Sequence, residues 1–316
     1  MPVCVIRTFR DEDLQPLAAL INTADRVDDA GFTTTVLALA HRLQEPHALP
    51  AQNIFVAEQA GRLVGYAIVN ERREEVLDRI GVVGIVHPEQ RLQGIGTGLM
   101  ERAESRAREL RRDKPLFLEM VARQPVAGAA ELALSLGMQP VRHFFYMECR
   151  DLAGLQEPVF PEGIRVRRYV VGSDQDAFVA AYNDAFSDHW GHVPHTRDKE
   201  EHRVGNPAFV CDDTLLAVDC GGRIAGLCLV LVPQVDPDMR KANPPMIDDL
   251  AVTHAYRRCG LGRGLLLAGM RHIRERGFSA AALAVDVDNP NQALRLYESA
   301  GFEVVSRSTA FRKELK

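Results

Sequence analysis

One glycine-rich octad occurs twice in this chain, and its repetition constrains the fold more than any other feature. The first copy is Arg91-Leu92-Gln93-Gly94-Ile95-Gly96-Thr97-Gly98, and the second is Arg257-Arg258-Cys259-Gly260-Leu261-Gly262-Arg263-Gly264. Each follows an apolar, strand-like segment (82–86 and 247–252) and precedes a helix-like run (to Arg112 and to Arg276). A strand, a glycine turn and a helix form an anion-binding arrangement. Glycines let the backbone approach the ligand, and the unpaired N–H groups of the first helical turn point at it. One such loop says little, but two copies in matching contexts imply a duplicated unit.

The repeat extends through the chain at a spacing of about 160 residues. Ile6-Arg7-Thr8-Phe9-Arg10 and the acidic stretch Asp11-Glu12-Asp13 correspond to Ile164-Arg165-Val166-Arg167-Arg168 and Ser173-Asp174. In both copies the pattern predicts a strand leading to acidic helix-capping residues. Two strand pairs with tight glycine turns follow, around Gly61 and Gly222. After the octads come an apolar strand (116–121; 281–287), a short helix ending at Gly137 or Gly301, and a terminal strand. Each half therefore reads as strand, one or two helices, three strands, helix, strand, helix, strand. That order predicts an α/β (α+β) architecture with a mixed sheet in each half. The expected domains are residues 1–150 and 164–316. Residues 151–163, with Pro158, Pro161 and two glycines, are expected to be the linker. A chain of 316 residues with 46% hydrophobic content can bury two such cores.

Charge and composition narrow the function classes. A net charge of −5 gives no electrostatic case for nucleic acid or an anionic membrane. The apolar run nearest to a membrane span, 215–232, is interrupted by Asp219, Gly221, Gly222 and Arg223. The start of the chain has no signal-peptide pattern. The six cysteines include no C-x-x-C pair, so reduced thiols in a cytoplasmic protein are expected, with no metal site. A monomer or homodimer is expected.

The octad fits neither common nucleotide loop. A dinucleotide fingerprint requires a third glycine where Leu99 and Leu265 stand, and a P-loop requires Gly-Lys before Ser or Thr. Coenzyme A pyrophosphate is the phosphate-bearing candidate that remains. Together with Asn289 and the segment Ala293-Leu294-Arg295-Leu296-Tyr297-Glu298-Ser299-Ala300-Gly301-Phe302, these motifs resemble the GNAT superfamily of acyl-CoA N-acyltransferases, in the tandem two-domain form to which mycothiol synthases belong.

That resemblance implies a site. Two parallel strands splay apart at a bulge, expected near Leu250, Ala251 and Val252, and admit the pantetheine arm of acetyl-CoA. The pyrophosphate lies on the amides from Arg258 to Gly264, including Cys259, Gly260, Leu261 and Gly262. Arg257, Arg258 and Arg263 either add phosphate contacts or form a solvated turn. Asn289, or its neighbour Asn291, flanks the gap or caps the following helix. The corresponding cofactor positions of the first copy are Val86, Arg91, Gly94, Ile95, Gly96 and Thr97.

The chemistry needs a base for the acceptor ammonium, a donor for the oxyanion and an acid for the departing thiolate. By the resemblance, Tyr297 is the acid, and Asp248 or Asp249 the base. Counting back from Arg257 favours Asp248, and amides around 250–252 can serve the oxyanion. In the first copy Ala133 stands in place of Tyr297, and Val82 and Val83 in place of the two aspartates. The second half is therefore the expected catalytic one, and the first half is expected to be non-catalytic.

Acceptor specificity is expected in the loop 183–196, which holds the only tryptophan and three histidines. Asp184, His189 and Trp190 are its candidate substrate contacts, with Asp188 a further attraction for a cation; alternatively Trp190 packs against the protein. A zinc site at His189, His192 and His195 is the weaker alternative. The expected activity is acetyl-CoA-dependent N-acetylation of a primary amine on a small molecule or peptide, by direct attack. The alternatives are a non-catalytic acyl-CoA-binding protein or a mycothiol-synthase-like enzyme.

Overall fold

A computed structural model describes residues 4–28, 33–46, 48–74, 76–124, 126–206, 209–232, 244–289 and 293–316. The chain forms two compact units, Met1–Phe144 with Ser306–Lys316, and Phe145–Val305.

The first unit opens with β1 (Cys4–Thr8), α1 (Leu14–Asp28), α2 (Val36–Arg42) and the single-turn α3 (Pro50–Asn53). The antiparallel strands β2 (Ile54–Gln59), β3 (Arg62–Arg73) and β4 (Asp78–Val86) follow. Then come α4 (Ile95–Glu109), β5 (Leu116–Arg123), α5 (Ala129–Ser135) and β6 (Gln139–Cys149). With β6 the first sequence repeat ends, and the second runs through β7 (Arg165–Arg168), α6 (Gln175–Phe186), α7 (Arg197–Val204), β8 (Thr214–Val218), β9 (Ile224–Leu231) and β10 (Met246–Val252). It continues through α8 (Leu261–Glu275), β11 (Ala281–Asp286), α9 (Ala293–Ser299) and β12 (Glu303–Leu315). Both copies thus carry the expected element order and a mixed sheet.

The same local chemistry starts each unit. Arg7 donates to both oxygens of Asp13 at 2.6 and 2.8 Å, and Arg167 does the same to Asp174. The Arg10 and Val170 amides also donate to those carboxylates. Each carboxylate thus ties the start of the first helix to a strand arginine and to a backbone amide three or four residues before it. Thr35 and Thr196 accept from the Ala38 and Lys199 amides to cap α2 and α7.

The ends of the chain depart from the expected division. The strand order is β1-β2-β3-β4-β5-β12 in the first unit and β6-β11-β10-β9-β8-β7 in the second. β12 pairs antiparallel with β5 from Ser308↔Arg123 to Leu315↔Leu116. Phe311 and Leu315 lie in the first core, while Met147 and Cys149 of β6 lie in the second. Each repeat has thus given its last strand to the other. Residues 151–163 are not the expected free linker either. Leu152 is buried in the second core, and its amide donates to the Ser279 carbonyl at 3.1 Å. The Val159 carbonyl lies so close to α8 that a Cβ on Gly264 would meet it at 2.6 Å.

Two apolar clusters sandwich the sheet of the second unit. One packs α8 residues Leu261, Leu265, Leu266, Met270 and Ile273 against β8–β11. The other packs α6 residues Phe178, Ala181 and Ala185 against Leu216, Leu227, Leu229 and Ala251. Burying each such large side chain contributes roughly 1.5–3 kcal/mol, enough to hold β10 rigidly between two helical layers.

Candidate active site

The two octads have one backbone conformation. Each begins with a short 3-10 turn, Pro88–Gln90 or His254–Tyr256. Leu92 and Arg258 then take the left-handed region at φ 60° and 65°. Gly94 and Gly260, at φ 82° and 86°, start α4 and α8. The first intrahelical bonds run from Gly98 to the Gly94 carbonyl and from Gly264 to the Gly260 carbonyl. The preceding amides of each first turn point out of the helix, as an anion cradle requires.

The expected arginine roles change. Arg257 donates to both Asp188 oxygens at 2.7 and 3.1 Å and to the Ala185 and Val252 carbonyls. Arg91 likewise grips both oxygens of Asp28 at 2.7 and 2.6 Å and donates to the Val86 carbonyl. In both units this arginine clamps the end of the first helix to the loop, so its charge is already spent. Arg263 donates to Ser299 Oγ at 2.7 Å and to Gln156 at 3.0 Å. Arg258 is exposed and carries no ion pair among the described residues. Cys259 Sγ donates to the Tyr256 carbonyl at 2.9 Å.

The strand before the second octad is irregular. β10 pairs in parallel with β11 only at Met246↔Ala282 and Ile247↔Leu283, while pairing with β9 continues to Val252. One edge of β10 is therefore open from Asp248 onward, and the backbone groups of Leu250, Ala251 and Val252 lie along that gap. The bulge is not at 250–252 as expected. It lies between Ile247, opposite Val230, and Asp249, opposite Leu229.

Asp248 is thus an extra residue that reverses the facing of everything after it. Ile247, Leu250 and Val252 pack toward α8, and Ala251 packs toward α6. An unbulged strand would drive Asp249 into the α8 core. Instead Asp249 is turned to the α6 side of the sheet, where Tyr182 and Arg203 are among the groups that act on its carboxyl.

Measured against β3, the regular β4 has no such extra residue: Val69 pairs with Val82, and Ile68 with Val83. Val83 is therefore the counterpart of Asp249, and Asp248 has none. This corrects the straight count from the octad.

The electrostatics of this pair are unusual for carboxylates. Asp248 is open to solvent along the gap, yet the surrounding protein raises its carboxyl above the ordinary range, while the Arg203 charge opposes the rise. Burial, and then the Asp248 charge, raise Asp249 to about 7. Tyr297 on α9 is buried in the α8 core, 6.2 Å between ring centroids from Phe302. Burial, then the charges of Cys228 and Asp249, push its hydroxyl well above the usual phenol range, so it stays protonated at neutral pH. Its counterpart Ala133 is fully buried in α5, and each helix ends alike, with Met138 donating to the Ala133 carbonyl and Phe302 to the Tyr297 carbonyl.

The loop 183–196 is held by its own Asn183 and His195 and by Glu200, which the sequence does not single out. The Asn183 side chain donates to the His195 carbonyl at 2.8 Å and accepts from the His195 amide at 2.7 Å, stapling the loop to α6. Glu200, fully buried, accepts from Tyr169 at 2.6 Å and from Arg203 at 2.7 and 2.8 Å, and lies 3.0 Å from His195 Nε2. Despite its burial, those partners hold its carboxyl at about 2.

Asp184 is exposed and accepts from the His254 amide at 2.8 Å, while Asp188 is taken up by Arg257. His189 is exposed and bonded to the Trp190 carbonyl, and Trp190 is half-buried. The three histidines do not converge, and among the described residues no group of three or more His, Cys, Asp or Glu could hold a metal. The Asn289 amide donates to the Asp286 carbonyl in the turn after β11; Pro290 and Asn291 lie outside the described residues.

A strand opened at one edge, an amide cradle at the following helix and a buried tyrosine on the next helix define an acyl-CoA-dependent acyltransferase. The family comparisons agree in both halves. Residues 50–137 match the acetyltransferase (GNAT) domain, and residues 176–302 match the acetyltransferase (GNAT) family. The chain belongs to the GNAT acetyltransferases, as a tandem of two such domains.

It is 32% identical to a mycothiol acetyltransferase of Salinispora arenicola, over 92% of this chain and 89% of that one. It is 34% identical to one of Pseudarthrobacter chlorophenolicus, over 76% and 71%. A GCN5-related N-acetyltransferase from Sphaerobacter thermophilus has the same fold, with a TM-score of 0.75, 25% identity and coverage of 98% and 95%. The protein is an acetyl-CoA-dependent N-acetyltransferase. No helix among the described residues is long and apolar enough to cross a membrane.

Proposed function

We propose that acetyl transfer takes place in the second unit, with Asp249 as base and Tyr297 as acid. One observation carries this reading. In two loops of identical conformation, only the second is accompanied by an acid–base pair; the first has Val83 and Ala133 at those positions.

The acceptor amine enters as an ammonium, favoured by the exposed Asp248 carboxylate beside the base. Asp249, near neutrality, takes one proton directly or through water, as a base matched to the working pH should. The free amine attacks the thioester carbonyl of acetyl-CoA. Backbone N–H groups on the open edge of β10 are suited to receive the oxyanion. The C–S bond then breaks, Tyr297 gives its proton to the departing sulfur, and the nitrogen proton restores the phenol. The products are the acetamide, free coenzyme A and a proton released from Asp249. Amides of the α8 first turn hold the pyrophosphate, with Arg258 as the arginine available for a phosphate contact. The first unit keeps the cradle and lacks the chemistry.

Relatives alike over most of both chains are named mycothiol acetyltransferases, so a mycothiol-type amine heads the list of acceptors. The test is thiol release from acetyl-CoA across that amine, amino sugars, polyamines and peptide amino termini. Release with at least one amine, abolished by Asp249→Asn, is expected. Release that survives in Asp249→Asn but is lost on changing the first unit would move the chemistry to the wrong half and sink the proposal.

A further inference from the structure

We infer that His195, held by Glu200, binds the acceptor: the buried carboxylate fixes the imidazole tautomer, and Nδ1 is left to accept a hydrogen bond from an N–H or O–H of the incoming amine. This inference rests on the reading that the second unit holds the acceptor.

Glu200 lies in α7 with none of its side chain exposed. Arg203 donates to both of its oxygens at 2.7 and 2.8 Å, and Tyr169 donates to one of them at 2.6 Å. The Arg203 guanidinium is itself stacked over Tyr169, Phe178 and Phe209, at 5.2, 4.7 and 4.8 Å from the ring centres. A carboxylate gripped in this way is ionised and only accepts. His195 Nε2, 3.0 Å from its other oxygen, therefore carries a proton and donates it. In the neutral ring Nδ1 then has a lone pair and no hydrogen. Among the described residues no group bonds to Nδ1, and the side chain keeps 16% of its surface exposed.

The first unit fills the same place without this charge. The Asn22 side chain grips the Thr34 carbonyl and amide at 2.9 and 2.8 Å, as Asn183 grips those of His195. Thr35 and Thr196 then cap α2 and α7, and four residues on stand Leu39 and Glu200, both fully buried. Phe9, two residues after Arg7, stands where Tyr169 follows Arg167, and it packs with Leu39 in an apolar cluster. Phe9, Thr34 and Leu39 thus replace Tyr169, His195 and Glu200 on an unchanged scaffold. The fold does not need the charged version, and a buried ion pair gains no stability over well-packed apolar side chains. It occurs in the unit that carries the acid–base residues and is missing from its twin.

The ring also stands on the right side of the sheet. It packs on Tyr182 at 5.0 Å between ring centres and on Phe178 at 6.0 Å. Both belong to the cluster that covers Ala251, and Ala251 shares its face of β10 with Asp249. His195 is therefore on the face to which the bulge turns the base.

Two measurements on the full-length protein test this. Nitrogen NMR with labelled histidine, assigned with His195→Gln, reads the tautomer: a proton on Nε2 and a bare Nδ1 are expected, and a proton on Nδ1 would overturn the inference. Steady-state kinetics then use the amine of the panel above that releases thiol fastest. Glutamine keeps a donor to Glu200 where Nε2 stood and removes the Nδ1 acceptor. His195→Gln should therefore raise KM for the amine about fivefold or more, with KM for acetyl-CoA unchanged. An unchanged amine KM sinks the idea, because a residue that only anchors Glu200 is served equally well by glutamine. A penalty that vanishes for an amine lacking a neighbouring hydroxyl assigns the bond to that hydroxyl; an equal penalty assigns it to the ammonium. If no amine releases thiol, the proposed function fails on its own. The ring spectrum on adding each amine still decides the inference: a shift of Nδ1 upholds it, and no shift with any amine overturns it.

Discussion

The two phosphate cradles of this chain are nearly superfluous copies of one another; the strands in front of them are not. β4 runs regularly to Val86 against β3, while β10 gains one residue at Asp248 and changes which way Asp249 faces. The cradles share a left-handed residue, a positive-φ glycine, a helix start and an arginine clamp. On the proposed assignment, binding geometry has been kept twice and acid–base geometry once. A backbone loop can be copied without its chemistry, because its ligands are amides that any sequence supplies, whereas a base requires a particular side chain turned to a particular side.

The sharpest way to break this comparison is Asp249→Asn. Turnover should fall about a hundredfold or more, while acetyl-CoA binding measured by calorimetry stays the same. Equal turnover would erase the distinction between the strands. The same variant carries a stability sign. The folded-state Asp249 carboxyl is raised to about 7, so its contribution to stability is present at low pH and lost as pH rises through 7. Asp249→Asn should therefore melt higher than the parent at pH 8 and no higher at pH 4. In the parent, the rate should fall as the pH drops below about 7 and Asp249 is protonated.

Tyr297→Phe should lower turnover about tenfold or more with acetyl-CoA still bound, and its loss should be smaller for donors whose thiol leaves more readily. Unchanged turnover would remove the acid assignment. The smallest effects separate the cradles themselves. Gly260→Ala forces an alanine to φ 86° and should raise KM for acetyl-CoA several-fold, roughly the 1 kcal/mol such strain costs. Gly94→Ala imposes the same strain at φ 82° and should leave turnover within about twofold. If both changes abolish turnover in folded protein, the division of labour is wrong.

Much of this was legible in the sequence because it is written in local patterns. The octads, the hairpin glycines and the acidic helix starts are short-range signals, and they yielded the element order of both units. Tyr297 and its absence at Ala133 follow from counting within one helix. What escaped required pairing partners. The bulge shows only against β9, since a one-residue insertion leaves no mark in composition. Arg257 resembled a ligand because a cation near a glycine loop suggests phosphate, and Asp184 because a carboxylate in the expected acceptor loop suggests an ammonium. Their true partners lie 69 and 70 residues away in sequence, at Asp188 and His254. The boundary at 150 failed for the same reason: a repeat predicts that each copy keeps its own last strand.

The exchange of those last strands has a consequence for how the protein is made. Domains of a growing chain ordinarily fold in the order of their synthesis. Here the first unit cannot close its sheet until residues 306–316 arrive, because Phe311 and Leu315 belong to its core. The first unit must wait for a strand that follows the whole second unit in sequence, while the second unit already has β6 in hand when its own residues emerge. A chain ending before residue 306 would carry Asp249 and Tyr297 and still leave the sheet of its first unit unfinished.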